Sequence, residues 1–73
     1  MTQYHAGTIF RAKTDFLHYR GIDGNYYNIN QNDLIILVKR CRSKWIVKIN
    51  NGWMGYIRII AVQNWLELVS SEQ

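Results

Sequence analysis

A chain of 73 residues has room for one core and one working surface, because a domain of this size hides only about 60% of its unfolded surface on folding. Apolar residues make up 48% of it and the aromatic set is rich (Phe 2, Tyr 5, Trp 3), which lets the chain bury enough surface to fold without disulfides or a metal. The formal charge of +4 directs attention to acidic partners, whether nucleic acid, an anionic membrane or an acidic protein surface.

Cys41 is the single cysteine, so no internal disulfide can form, and no Cys/His spacing suits zinc. The longest apolar run, Leu34-Ile35-Ile36-Leu37-Val38, falls far short of the ~20 residues that span a bilayer, and Met1-Thr2-Gln3-Tyr4-His5 lacks a signal-peptide layout. A cytoplasmic, monomeric protein with a free thiol and no membrane association is expected.

The chain contains no proline, no repeat and no low-complexity linker, so Gly and Asn supply the punctuation. The first strand is predicted over residues 7–12, after an extension at 1–6. A long polar excursion over 17–31 follows, with the turn sequence Gly21-Ile22-Asp23-Gly24-Asn25 inside it. Strands are predicted over 34–39 and 44–49, separated by a charged loop. Asn50-Asn51-Gly52 then lies between two apolar runs as a hairpin turn would, since Gly and Asn tolerate positive φ. A strand over 53–60 and a short closing one over 66–69 complete the set, with a polar tail at 70–73. All are rich in β-branched and aromatic residues, and none has the length and 3.6-residue period of a good helix. Five short strands describe a small partly open barrel or two orthogonally packed antiparallel sheets. On periodicity alone a five-stranded oligonucleotide-binding barrel or a chromodomain-like barrel fits almost as well.

The order of motifs is more specific. Ala12-Lys13-Thr14-Asp15-Phe16 is similar to the Ala-Leu-Tyr-Asp-Tyr opening of Src-homology-3 (SH3) domains, and the polar excursion then takes the place of that family's RT loop. Asn32-Asp33-Leu34-Ile35-Ile36-Leu37 resembles its Gly-Asp-hydrophobic stretch, and Trp45 follows a short charged loop as the family's binding tryptophan does. Asn51-Gly52 supplies the distal hairpin, and Gly55 sits close to where a glycine is common in the family. The resemblance covers residues 7–69 and implies an all-β, five-stranded SH3-like barrel of two orthogonal antiparallel sheets, working as a non-enzymatic protein-interaction module.

For the family's late Pro-Ser-Asn-Tyr segment there are two alignments. Direct counting puts Arg58 and Ala61 at the proline and tyrosine positions; four extra residues match Val62-Gln63-Asn64-Trp65-Leu66 instead, which keeps an aromatic at the tyrosine site and is preferred. The resemblance then implies a protein-binding face made of Phe16, Tyr19, Asp23, Tyr27, Trp45, Asn64 and Trp65. Tyr26 is a further candidate for its flank, and tyrosine and tryptophan suit such faces because they bury much area with few rotatable bonds. Lys48 occupies a position where the family prefers a small or apolar residue, which suggests a one-residue register shift in the Trp45 strand.

Departures from the family narrow the function. Thr14 replaces the first signature tyrosine, the proline is missing, and the long excursion carries His18, Arg20 and a lone Asp23 where the family has several acids. These argue against reading of proline-rich peptides. Lys39, Arg40, Arg42, Lys44 and Lys48 form the densest charge run and make a basic rim suited to an acidic or extended protein surface. The same rim beside an aromatic would suit nucleic acid, with cations on phosphates and bases stacked, which is the alternative function. A further alternative is a stand-alone phage or microbial protein that docks on and modulates a larger target. No carboxylate pair, Ser-His-Asp set, phosphate loop or metal-ligand cluster is legible, so neither catalysis nor a cofactor is expected.

Overall fold

Alternating burial sets most of the architecture. The structure, a computed structural model, describes residues 4–15, 17–50 and 52–70. Its elements are β1 (Ile9–Ala12), β2 (Leu17–Gly21), β3 (Tyr26–Ile29), β4 (Leu34–Cys41), β5 (Lys44–Ile49), β6 (Trp53–Arg58), α1 (Ile59–Trp65) and β7 (Leu66–Ser70). The described residues are all-β apart from the short α1. All pairings are antiparallel, and they join seven strands into one curled sheet in the order β3-β2-β6-β5-β4-β1-β7. The expectation of five strands in two sheets is corrected accordingly.

Two stretches account for the difference. The excursion over 17–31 is a hairpin rather than a loop, with Tyr19, Gly21 and Ile29 turned inward and His18, Arg20, Tyr26 and Asn28 outward. Gly24, at φ +92°, makes its turn, and Gly21 N–H donates to Asn25 O at 2.7 Å. The strand predicted over 53–60 stops at Arg58, where the chain enters α1 and buries Val62. Ile59 N–H donates to Ser43 O at 3.1 Å and Lys13 N–H to Trp65 O at 3.0 Å, tying the ends of α1 to the β4–β5 turn and to the end of β1. Among the described residues no helix is long and apolar enough to cross a membrane.

In β5 the alternation is regular: Trp45, Val47 and Ile49 point inward, and Lys44, Ile46 and Lys48 do not. The register irregularity that Lys48 suggested lies in the partner strand instead, between Leu37 and Lys39, with Val38 the extra residue of a β-bulge. The core gathers Phe10, Ile29, Ile35, Leu37, Trp45 and Val47 with Ile57, Val62 and Leu66, and Tyr4 packs edge-on against Phe10 at 4.9 Å. Asn51 of the hairpin motif lies outside the described residues; its neighbour Asn50 adopts φ +50°, and Gly52 N–H closes the turn on Ile49 O at 2.9 Å.

Candidate binding surface

Two glycines decide where the β2–β3 hairpin sits. Gly21 lies directly opposite Gly55, so the hairpin comes down on β6 where neither strand carries a side chain. A Cβ on Gly55 would stand 2.5 Å from the Tyr19 ring and 2.6 Å from the Arg20 carbonyl oxygen. The approach buries Tyr19 inside and sets Arg20 outside, paired with Tyr56.

Directly opposed residues share a face of the sheet. Tyr26, Arg20, Tyr56, Ile46 and Lys39 therefore form one row across β3, β2, β6, β5 and β4 on the outer face. The adjacent row on β6, β5 and β4 holds Arg58, Lys44 and Cys41. With Trp65 at the end of α1, these residues shape a groove of about 360 Å³ lined by Tyr26, Arg20, Tyr56, Lys44, Arg58 and Trp65, with Leu17, His18, Tyr19 and Ala61. A neighbouring depression shares Arg20, Lys44 and Tyr56 and adds Arg42, Cys41 and Ser43 from the β4–β5 turn.

Among the described residues no carboxylate lines either hollow. Asp15 accepts from Gln31 N–H at 2.8 Å, Asp33 accepts from Asn30 N–H at 2.9 Å, and Glu67 pairs with Arg11 on the β1–β7 edge. The Arg11–Glu67 pair is the one ion pair among the described residues. Lys44 faces Arg58 directly across the strands, a like-charge pair that repels in the absence of an anion.

The residues expected at a binding face are distributed differently. Trp45 is a core residue with 4% of its surface exposed and cannot present its indole to a partner; the pleat that turns Val47 and Ile49 inward turns it inward too. Tyr19 is likewise buried, where burial pushes its phenol pKa up. Phe16 lies outside the described residues. Asn64 is exposed on α1 but does not line the groove, and Trp65, half exposed at 50%, does. Of the basic rim, Lys44 and Arg42 reach the two hollows. Lys39 continues the outer row, Arg40 is exposed with its Nε donating to Arg42 O at 3.0 Å, and Lys48 is half-buried between Ile36 and Met54.

Asp23 and Tyr27 stand apart from the groove. They share a third hollow with Ile22, Trp53 and Met54. Tyr27 stacks on Tyr19 at 5.6 Å and on Trp53 at 6.1 Å, so its faces are already occupied. The Tyr27 hydroxyl donates to Asp23, which also accepts from Asn25 N–H at 3.0 Å. These bonds hold the Asp23 carboxyl below its ordinary value and push the Tyr27 phenol up.

Arg20, Tyr56 and Arg58 are groove residues that were not expected at a binding face. A signal existed for each: His18 and Arg20 alternate with Leu17, Tyr19 and Gly21, and Tyr56 and Arg58 alternate with Gly55 and Ile57. Among the described residues no three His, Cys, Asp or Glu side chains gather as metal ligands would. Comparison with family models, with curated proteins and with solved structures gave no match for this chain.

Proposed function

We propose that the chain is a non-enzymatic interaction module on an SH3-like barrel that holds an anionic partner in the groove between the β2–β3 hairpin and the β4–β5–β6 meander. The scaffold reading is supported by that meander, by β7 closing against β1, by a short helix just before the closing strand and by a hairpin where the RT loop is expected. The observation that carries the binding reading is the convergence of Arg20, Lys44 and Arg58 around exposed aromatic rings with no carboxylate among the lining residues. Clustered cations raise the local concentration of an anionic ligand and its association rate. An acidic segment of a protein partner and a nucleic-acid strand both present the required charge.

Elution from immobilised heparin, a generic polyanion, tests the groove. A variant with Arg20→Ala, Lys44→Ala and Arg58→Ala is expected to elute at clearly lower salt than a control with Lys13→Ala, Arg40→Ala and Lys48→Ala, which removes the same charge elsewhere. Coincident elution of the two would remove the groove as the binding site.

A further inference from the structure

Resting on the anion-binding groove proposed above, we infer that its partner is a single-stranded nucleic acid, with bases stacked on Tyr26, Tyr56 and Trp65 and phosphates held by Arg20, Lys44 and Arg58. Arg20 is the directly opposed partner of both Tyr26 and Tyr56, so aromatic, cation and aromatic succeed one another across β3, β2 and β6. Strands lie ~4.8 Å apart, which puts the backbones of the two tyrosines roughly 10 Å from one another with that of Arg20 midway. That is the order in which an extended strand presents base, phosphate and base. Two further cations, Arg58 and Lys44, lie in the adjacent row, where the backbone would continue.

An acidic peptide would require the cations but not the rings. Tyr26 is 74% exposed and Trp65 half exposed, and neither they nor Tyr56 stacks on another aromatic among the described residues. By contrast Tyr27 and Trp53, on the other side of the hairpin, are stacked on each other. Among the described residues Tyr26, Tyr56 and Trp65 thus carry no aromatic stacking partner beside the cations, and base stacking on such rings raises affinity roughly tenfold per base. The shape selects for a single strand. A duplex is read by elements that protrude into a groove about 12 Å wide, whereas these side chains line a hollow of about 360 Å³.

The test is fluorescence anisotropy at 50 mM salt with labelled decathymidylate, an abasic decamer of the same charge and a decaglutamate peptide. Decathymidylate is expected to bind at least tenfold more tightly than the other two, with log affinity falling against log salt at a slope of about −2 for three phosphate contacts. Tyr26→Ala and Trp65→Ala, both exposed and checked by circular dichroism, are expected to weaken decathymidylate about tenfold each and to leave the abasic decamer unchanged. Lys44→Ala should weaken all three ligands. Equal affinity for the thymidine and abasic strands, or decaglutamate binding as tightly as decathymidylate, would overturn the nucleic-acid inference while the anion-binding groove stands. Absence of binding to every anion would overturn both.

Discussion

Trp45 and Trp65 show how far one residue's role depends on which way the pleat turns it. A tryptophan after a charged loop reads as a binding residue by its place in the sequence, but position along the chain does not give the face. In β5 the inward set is fixed by Val47 and Ile49, and Trp45 belongs to it. Trp45→Ala is therefore expected to cost about 3–5 kcal/mol, as large-to-small changes of buried aromatics do, out of a total of roughly 5–10 kcal/mol for so small a domain. Trp65→Ala should change stability by about 0.5 kcal/mol or less, as exposed substitutions do. Urea titration of the two variants distinguishes them, and equal losses would contradict the burial of Trp45. Lys44 was legible as part of a charge run, but Arg20 and Arg58 were not, because each is an isolated cation that acquires company only through strand pairing.

Among the elements, β5 was legible to the residue because it alternates without interruption and is bounded by turn residues. The β2–β3 hairpin was not, because most of its outward residues are polar and one face alone carries the apolar signal. The short α1 was hidden for the opposite reason: Ile59, Ile60, Ala61 and Val62 continue the apolar character of β6, and seven residues are too few to display a helical period. The hairpin's seat on β6 depends on Gly55. Gly55→Ala would drive a methyl into the Tyr19 ring and the Arg20 carbonyl, the latter being backbone that cannot swing aside. The expected loss is about 1–3 kcal/mol, the usual cost of overpacking, with Arg20 displaced from Tyr56. Thermal denaturation and the amide spectrum of residues 17–29 check it, and an unchanged spectrum would mean that the strands are not so closely apposed.

At the scale of the whole molecule, the charge of +4 coexists with carboxylates held in local bonds away from the groove. Asp23, hydrogen-bonded by Tyr27 and Asn25, and Glu67, bonded by Arg11, both titrate below their ordinary values. A carboxyl whose folded pKa lies below its unfolded value contributes stability that is full above the unfolded value and is lost as pH falls through the folded one. The unfolding temperature is thus expected to hold from neutral pH to about pH 5 and to decline below about pH 4, with repulsion among the cations adding to the loss. Asp23→Asn and Glu67→Gln together should flatten the decline; an unaltered acid limb would show that these bonds are not what the acid breaks. The groove itself is made of unequal parts. Two residue pairs and the Ile22 N–H to Met54 O bond at 3.3 Å fasten the hairpin to β6, where β5 and β6 share six pairs. A ligand touching Arg20 on one side and Arg58 on the other would lie across that seam like a clasp. Occupancy and hairpin attachment would then be a single linked equilibrium, each favouring the other by the same factor, and saturation at a hundredfold excess over Kd would add about 2.7 kcal/mol to the fold.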